Sequence, residues 1–397
     1  MLLQGISLAW YLSVLAWQSM VHQPDCEAFS SPYSTLQTDP SANVRRVLKD
    51  MLLCEVDVDE HLFHTRYGYG TGLMVAAQKG FPDVVSELAK KTNNIDRVGG
   101  LGHTALMLAA ENGHHHAASI LLEHGANVNA KSDYRQYAAL WPAVQNCHEP
   151  VVSVLLENGA DPNARDGIGR TVLIEAAKHC QPQIISKLLE NGADINMQST
   201  RTLTLYNFYT PLMMAAQKGN NQACLVLLDN GADVNIVTDE GMTALMMAAK
   251  YDQFEVVKTL LAHGAEQQNA LIFAGINGNL DIFAFLLDNG ADMSSLNKHG
   301  DGYTPLIFAV NSYFNDNMTA INMVHILLEH GADANLRNAY GDTALMKAAA
   351  AGYRKETIVA ALLDHGADVN LQNNVSQKFY NYTALMYASE KGHEKTV

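Results

Sequence analysis

The strongest constraint on the fold is a phrase, LLEHGANVNA at residues 121–130, that returns along the chain. Close copies are LLENGADPNA at 155–164, LLENGADIN at 188–196, LLDNGADVN at 227–235, LLEHGADAN at 327–335 and LLDHGADVN at 362–370. One copy predicts only the end of a helix, whereas many copies at intervals near 33 residues are typical of a stack of equivalent repeats. The 397 residues therefore need not form several ordinary domains, because such a stack grows without new domain boundaries.

A second phrase, Thr-Ala-Leu-Met at 104–107, marks the beginning of the same repeat. Full or weakened copies start at 71, 104, 138, 171, 210, 243, 269, 304, 343 and 383, so every step but one is 33 to 40 residues. Each copy predicts a first helix, because Thr caps free backbone N–H groups and Ala, Leu and Met favour helix. A second helix follows and ends at a glycine such as Gly125, placed as a left-handed C′ residue. Each repeat is thus predicted as helix, turn, helix and a projecting hairpin-like finger.

These residues resemble the ankyrin-repeat family, whose pattern is T-P-L-H-x-A-A…L-L-x-x-G-A-D-V-N, over about residues 68–397. The resemblance implies an all-α solenoid, curved and right-handed, that binds other proteins through its fingers and first helices. One departure is systematic, because Met or Ile replaces the family's His after T-P-L. The replacements are Met107, Met213, Met246, Met346, Met386, Ile174, Ile272 and Ile307. They are expected to exchange a polar bridge between repeats for apolar packing without changing the fold.

The N-terminal segment, residues 1–23, carries no Lys, Arg, Asp or Glu, and its apolar core runs from about Ile6 to Trp17. That length suits a secretory signal better than a membrane span, which needs about 20 apolar residues. An uncleaved anchor and a buried soluble segment stay as alternatives, because no basic region precedes the apolar core and no A-x-A site follows it. Residues 24–43 are predicted as a linker, and 44–67 as a degenerate half-repeat that caps the array at 68–397.

The chain is acidic, with 26 Lys and Arg against 41 Asp and Glu, and this balance argues against a nucleic-acid partner. Its five cysteines have no metal-binding spacing and are too few for a disulfide scaffold. Cys147 and Cys180 replace the glycine between the two helices in successive repeats. Stacked helices lie about 8–10 Å apart, whereas a disulfide needs Cα atoms within about 7 Å. Free thiols are therefore expected.

No enzymatic site is predicted, because the sequence contains no phosphate-binding loop, hydrolase elbow or zinc-protease motif. The stretch GYGTG at 68–72 lacks the spacing of a dinucleotide-binding loop. The three histidines at 114–116 cannot converge on one metal ion, since adjacent helix positions face different directions. The repeats also leave too little chain for a catalytic domain. The sequence therefore predicts neither a catalytic residue nor a cofactor nor a metal.

A binding surface is predicted where the repeats are irregular, because the stack itself does not require those residues. The finger after Asn196 is about six residues longer than the usual finger and that after Asn370 about seven, and the repeat at 138–163 has a tryptophan and a proline in its first helix. The predicted partner-binding residues are Tyr134, Tyr137, Trp141, Leu205, Tyr206, Phe208, Tyr209 and Tyr251. The alternative is that these aromatic residues pack into the core. The shortened finger near 265–270 predicts either a hinge or pocket, or a tolerated deletion.

The predicted function is a non-catalytic scaffold that binds a partner protein through its fingers and the concave surface of its first helices. The alternative is a regulatory or targeting segment of a larger or self-associating protein. Self-association is considered because the last repeat stops within its second helix, at KGHEKTV, and would leave apolar surface open. Contact with a membrane is expected only if residues 1–23 form an uncleaved anchor. The predicted location is outside the producing cytoplasm if those residues are an export signal, and the cytoplasm otherwise.

Overall fold

The computed structural model describes residues 42–54, 57–59, 62–65, 68–100, 102–133, 135–200, 208–267, 269–294, 304–311, 317–351, 355–373 and 381–394. The predicted export signal and nearly all of the predicted linker lie outside these residues. The helices are α1 Ala42–Leu53, α2 Gly72–Lys79, α3 Pro82–Lys91, α4 Ala105–Glu111, α5 His115–Glu123, α6 Leu140–Gln145, α7 Glu149–Glu157, α8 Val172–His179, α9 Pro182–Glu190, α10 Pro211–Lys218, α11 Asn221–Asp229, α12 Ala244–Lys250, α13 Phe254–Ala262, α14 Ala270–Asn277, α15 Leu280–Asp288, α16 Pro305–Asn311, α17 Asn317–Glu329, α18 Ala344–Ala351, α19 Glu356–Asp364 and α20 Ala384–Lys391.

The helices from α2 to α19 form successive pairs of a first and a second helix, as the repeated phrases predicted. The described residues fall into two compact units that divide the chain between 206 and 207, except that 177–179 group with the second unit. In the first unit α4 packs against its own second helix α5 and against the next first helix α6, and in the second unit α10 packs in the same way against α11 and α12. None of the helices in the described parts of the chain has the length and apolar character needed to cross a membrane.

In most repeats the repeated threonine caps the N-terminus of the first helix. At α4, the Thr104 hydroxyl oxygen accepts the backbone N–H of Met107 at 3.3 Å, so the predicted cap is confirmed. Met107 is buried, as are the alanines at 109 and 110, which let neighbouring helices approach closely. In α10, the Met213 sulfur also accepts the backbone N–H of Thr210 at 3.5 Å. The methionine thus packs in the core and still gives one polar contact where the family has histidine.

The glycine of the repeated phrase ends each second helix through a left-handed turn. Gly125 has a φ of 87°, which residues with a Cβ rarely adopt. Its N–H donates to the carbonyl of Leu122 at 2.9 Å, and the N–H of Ala126 donates to the carbonyl of Leu121 at 3.0 Å. These bonds satisfy carbonyls that the helix end would leave unpaired. The backbone conformation, and not lack of space, therefore requires glycine at this position.

The asparagine at the end of the phrase joins one finger to the next. Asn129 donates through its side-chain amide to the carbonyl of Gly159 at 3.0 Å and accepts the backbone N–H of Asp161 at 3.0 Å. Asn163 and Asn335 each make the same two hydrogen bonds to the repeat that follows them. Both polar atoms of the amide are therefore used between repeats, which explains why the phrase keeps this residue.

A second set of polar contacts joins the turn between the two helices to the preceding repeat. His114 Nε2 lies 3.1 Å from the carbonyl oxygen of Gln78, and His148 Nε2 lies 3.0 Å from that of Glu111. A carbonyl only accepts, so each Nε2 carries the proton. Equivalent donors to the preceding repeat are Asn279, Lys355 and His393. We call these contacts turn links, and each satisfies a carbonyl near the end of a first helix.

The segment predicted as a half-repeat cap contains one helix and part of a hairpin. Helix α1 packs against α2 and α3, with Leu48 and Met51 fully buried. Strands β1 Leu62–Thr65 and β2 Gly68–Thr71 form an antiparallel pair that leads directly into α2. The Asp59 carboxylate accepts hydrogen bonds from Thr92 and from the backbone N–H of Asn93. This aspartate fixes the turn after α1 to the following finger.

The repeat at 138–163 begins its first helix differently from most others, because Ala138 stands where most other repeats have Thr. Helix α6 is six residues long, and its N-cap residue Ala139 forms no capping hydrogen bond through its side chain. Pro142 is the third residue of this helix, where the first turn leaves N–H groups unpaired and a proline is tolerated. The proline therefore accompanies a short, uncapped helix and does not interrupt it.

The prediction of free thiols at Cys147 and Cys180 is wrong, because the two residues form a disulfide with Cα atoms 5.5 Å apart. The spacing of about 8–10 Å applies to the axes of packed helices. These two residues instead lie in the turns that follow α6 and α8, where the backbones of successive repeats come closer than the helix axes. Cys224 is buried in α11 as a free thiol, and burial raises its pKa to about 12.

Candidate protein-binding surface

The predicted partner-binding residues fall into three groups in the structure. Tyr134, Leu205 and Tyr206 lie outside the described residues. Tyr137 and Trp141 are buried, so in this conformation they present almost no surface to a partner. The exposed and half-buried members are Phe208, Tyr209 and Tyr251. The structure therefore separates the residues that the sequence analysis grouped around the two irregular regions.

Tyr137 is held inside the first compact unit by a polar contact. Its hydroxyl oxygen lies 3.0 Å from His103 Nε2, and the two rings meet edge to face. Burial lowers the pKa of His103, which favours the neutral ring, and raises the pKa of Tyr137. The contact joins two successive fingers, because these residues are 34 positions apart. Tyr137 therefore contributes to the packing of the repeats.

Trp141 is 3% exposed and lies beneath a charged side chain from the next repeat. The Arg170 guanidinium carbon is 5.1 Å from the centre of the tryptophan ring, a cation–π distance. Arg170 also donates to the carboxylates of Asp166 at 2.8 Å and Glu175 at 3.2 Å. Both acids are shielded from solvent, with side-chain exposures of 7% and 3%. We call these four residues the Arg170 cluster.

The Arg170 cluster explains why the position after the methionine or isoleucine of the first phrase can hold an acid. Glu175 occupies that position in α8, where α4 has Leu108 and α10 has Met214, and both of those residues are buried. A buried carboxylate is costly unless it is paired. Arg170 supplies the pairing charge, and Trp141 supplies a flat apolar surface for the guanidinium. The aromatic residue at 141 thus belongs to a packed interior site.

Phe208 and Tyr209 follow the long finger that lies outside the described residues. Both are half-buried, and Phe208 has a φ of 57°. A bulky residue in the left-handed region is uncommon, because its Cβ approaches the following carbonyl. The backbone therefore turns sharply just before Thr210 caps α10. This turn brings the end of the long finger next to a regular first helix.

Tyr251 is the most exposed of the predicted binding residues that the structure describes. It forms the C-terminal cap of α12 and is 41% exposed, with the Lys250 ammonium 5.4 Å from the centre of its ring. The next first helix, α14, packs against α12 and carries Ile276 near its own C-terminal end, 49% exposed. We call Tyr251 and Ile276 the helix-end pair. Sequence reasoning missed Ile276, although most other repeats have a polar residue there.

The shortened finger near 265–270 keeps the contacts between repeats by using a longer side chain. Gln267 donates through its side-chain amide to the carbonyl of Asn289 at 2.9 Å, much as Asn129 reaches Gly159 in a regular finger. The backbone N–H of Glu266 still donates to Asn235 at 2.9 Å. The extra methylene of glutamine thus spans a gap that asparagine fills elsewhere. This observation agrees with a tolerated deletion, although it does not test a hinge.

Helix α20 exposes residues that the other first helices bury. Leu385 is 53% and Met386 47% exposed, whereas their counterparts Leu345 and Met346 in α18 are at most 2% exposed. The exposed side lines an open groove of about 620 Å³, together with Tyr382 and polar residues of the preceding finger. In α18 the same side is covered by α20. The groove therefore has the shape and composition of a contact between repeats.

Comparison with known proteins identifies the family. A model of ankyrin repeats matches residues 73–166, 173–269, 265–338 and 314–397, which together span most of the chain. The chain belongs to the ankyrin-repeat family. It is also 26% identical over 201 residues to YahD of Escherichia coli (strain K12), which is named as an ankyrin repeat protein; the match covers 40% of this chain and 99% of YahD. The predicted fold class, a helical ankyrin-type solenoid, is confirmed by these matches and by the helix pairs.

Ankyrin repeats are generally modules for protein–protein interaction, and the family is typically non-catalytic. Membership therefore supports the coarse prediction of a protein that contacts other proteins. The binding residues themselves stay a prediction. Among those that the structure describes, Tyr251 is exposed and Phe208 and Tyr209 are half-buried, whereas Tyr137 and Trp141 are buried.

Proposed function

We propose that this protein is a non-catalytic scaffold whose second compact unit binds a partner protein through the helix-end pair. The observation that carries the proposal is the exposure of Tyr251 and Ile276 at the ends of two first helices that pack together. A tyrosine provides a large apolar ring with a polar end, which is the kind of side chain that forms the centre of many interfaces. Lys250 beside the ring adds a positive charge at this surface.

The exposed apolar area gives the helix-end pair a physical reason to bind. Burying an isoleucine side chain that water now contacts contributes about 1.5–3 kcal/mol. Phe208 and Tyr209 precede α10 at the opposite end of a first helix and are therefore not part of this surface, and Tyr137 and Trp141 are left out because they are buried. A partner with an apolar centre and an acidic rim would complement this surface, since Lys250 lies at its edge.

The test compares two double variants of the full chain in its native cells. Tyr251→Ala with Ile276→Ala removes the helix-end pair, and Met318→Ala with Leu363→Ala removes two exposed apolar side chains from second helices as the control. Partners are captured by chemical cross-linking and quantified by mass spectrometry. We expect the first variant to lose at least one partner by about tenfold or more and the control to keep it. Equal recovery by both variants would exclude the helix-end pair as the binding surface.

A second candidate function, self-association, is favoured by the exposed side of α20. The residues that the groove presents are those that bind another repeat within the chain, so a second copy could occupy it. Leu385→Glu would place a charge in that contact and is expected to reduce the mass of any dimer in sedimentation experiments. A monomer at high concentration in the unmodified protein would contradict the idea. A regulatory or targeting role within a larger protein is the remaining alternative, and it would use the same groove.

We also propose that the protein is exported, which rests on the apolar segment at 1–23 and on the Cys147–Cys180 disulfide. Disulfides persist mainly in oxidising compartments outside the cytosol. The test is the intact mass and N-terminal residue of the protein from cell pellet and medium. Loss of about the first 20–25 residues from the protein in the medium would support export. An intact N-terminus found only in the soluble cell fraction would contradict it and favour a cytoplasmic protein.

A further inference from the structure

Two cysteines stand one repeat apart at the same place in the pattern. Cys147 follows α6 as Gly113 follows α4, and Cys180 follows α8 as Gly219 follows α10. Cys147 adopts a φ of 54°, in the region where Gly113 and Gly219 also lie. A residue with a Cβ is unfavourable there, so a cysteine at 147 has a cost that the glycine of other repeats does not. The disulfide to Cys180 is the interaction that offsets this conformational cost at Cys147.

Glycine is favoured at this turn by lack of space for a side chain as well as by backbone conformation. A Cβ built on Gly113 would lie 2.8 Å from the His148 ring, which comes from the next repeat and forms the turn link to Glu111. A Cβ on Gly80 would meet the His114 ring in the same way. A side chain at the turn and a histidine turn link from the next repeat therefore exclude each other.

The junction between the repeats that begin at 138 and 171 follows this rule. Cys147 has a side chain at the turn, and the residue that would carry the next turn link is Gln181. Gln181 is exposed, and within the described residues its side chain makes no hydrogen bond to the preceding repeat. The neighbouring junctions have His114 and His148 as links. The disulfide occupies the place where the turn link is missing.

We propose that the Cys147–Cys180 disulfide is a native cross-link that replaces the turn link between these two repeats and makes the stability of this junction depend on oxidation. Two thiols lose two electrons and two protons to a disulfide oxidant of the thiol–disulfide exchange type. A Cys147 thiolate attacks the oxidant and releases one thiolate. Cys180 then attacks the Cys147 sulfur of the mixed disulfide and releases the second. Cys147 is the first to react because it is half-buried, whereas Cys180 is 3% exposed.

The first test is chemical and uses the full chain. The protein is reduced, equilibrated with oxidised glutathione at neutral pH, and treated with N-ethylmaleimide to block remaining thiols before digestion. We expect a cross-linked peptide pair that contains Cys147 and Cys180, distinct from any pair formed by Cys54, which is also disulfide-bonded, while Cys224 keeps its thiol because it is buried. Blocked or glutathione-modified Cys147 and Cys180 without a cross-link would overturn the proposal.

The second test asks whether the cross-link performs the task of the turn link. The backbone N–H of His148 donates to Ala143, and that of His114 donates to Ala109, so the two amides are matched except for the residue before them. Hydrogen–deuterium exchange is measured on peptides that cover each turn, with and without reductant. We expect reduction to accelerate exchange at the Cys147 turn by about tenfold or more and to leave the Gly113 turn unchanged. Equal behaviour of the two turns would contradict a junction-specific role.

A swap variant controls for general effects of the reductant and of cysteine loss. Cys147→Gly with Cys180→Gly and Gln181→His restores the pattern of the neighbouring repeats, and the new ring is expected to reach the carbonyl of Gln145. Exchange at this turn should then lose its dependence on reductant and stay within about threefold of the oxidised protein. The variant without Gln181→His should exchange faster. If the added histidine has no effect, the cross-link does not stand in for a turn link.

Discussion

Two successive junctions in the first compact unit are built differently. The repeat that begins at 104 is joined to the next by the hydrogen bond from His148 to Glu111, with a glycine at its turn. The repeat that begins at 138 is joined to its successor by the Cys147–Cys180 disulfide and by Arg170 over Trp141. The second junction therefore uses a covalent bond and a charged cluster where the first uses a neutral hydrogen bond.

The difference follows from the state of the first helix at each junction. Helix α4 begins with a threonine cap, while α6 is one residue shorter and has no side-chain cap. In α6, the second residue is Trp141, which contacts Arg170, and the disulfide begins two residues past the helix end. Both ends of the weak helix are thus fixed to the following repeat. A solenoid tolerates a poor local sequence when neighbouring repeats supply the missing interactions.

The largest effect is expected from removing the charge of Arg170. Arg170→Ala removes the guanidinium that pairs with the Glu175 carboxylate, which is 2% exposed, and breaking a buried ion pair destabilises by about 3–5 kcal/mol. The free energy of unfolding is measured by urea denaturation. Arg135→Ala, at an exposed position of the preceding finger, is the control and should change it by less than about 0.5 kcal/mol. Equal effects of the two changes would mean that the cluster adds nothing to this junction.

Reduction of the disulfide is expected to have the next largest effect. Cross-linked residues 33 positions apart restrict the unfolded chain, and such a bond typically contributes about 2–4 kcal/mol. Urea denaturation with and without reductant should show a lower midpoint for the reduced protein. Cys147→Ser with Cys180→Ser should lower the midpoint without reductant and should respond less to reductant than the unmodified protein does, the remaining response coming from Cys54, which is also disulfide-bonded. Persistence of the full reductant effect in that variant would locate it at another cysteine.

The fold could be predicted from the sequence because every repeat carries the same local signals for where its helices begin and end. Thr104 caps α4, Gly125 ends α5, and the intervals between copies define the stack. The disulfide could not be predicted in this way, because the distance between packed helix axes does not give the distance between two turns. Cys147 and Cys180 both lie in turns. The sequence pattern gives the periodicity of the repeats, and the approach of their turns depends on backbone geometry that the pattern does not contain.

The binding surface stays a prediction, and α6 shows why a break in the repeat pattern is weak evidence for such a surface. Trp141 breaks the pattern, which on sequence alone favours surface available for a partner. The same break is satisfied inside the molecule, by Arg170 from the next repeat. Ile276 shows the opposite case, because an isoleucine in an apolar helix does not look irregular and yet is exposed. Deviation from the pattern indicates where the stack changes, and only the packing decides whether the change faces solvent.

Loss of a histidine turn link should destabilise the protein less than loss of Arg170 or of the Cys147–Cys180 disulfide. His148→Ala removes one hydrogen bond and leaves Asn146 as the remaining side-chain donor to the Glu111 carbonyl, so the free energy of unfolding should fall by about 1 kcal/mol. His116→Ala, at an exposed position in α5, is the control and should have little effect. Urea denaturation measures both. A loss for His148→Ala as large as that for the disulfide would remove the distinction between the two junctions.

The smallest effect concerns a charge-assisted link in the second compact unit, where His330 Nε2 lies 2.9 Å from an Asp288 carboxylate oxygen. The hydrogen bond to Asp288 and that to the Ile326 carbonyl raise the pKa of His330. A raised pKa means that the folded state holds the proton more tightly than the unfolded state, in which the pKa is near 6.5. The stabilisation is therefore complete below that value and is lost as pH rises through the higher folded pKa.

Because Asp288 is largely exposed, the contribution of this pair should be only a few tenths of a kcal/mol. Asp288→Asn should lower the pKa of His330 toward its ordinary value, measured by the pH dependence of its ring resonances in NMR. It should also lower the free energy of unfolding at pH 6 slightly more than at pH 8. The His148 turn link differs in that it is made to a backbone carbonyl and not to a carboxylate. If Asp288→Asn leaves the pKa of His330 unchanged, hydrogen bonding to Ile326 alone sets it, and charge plays no part in joining these repeats.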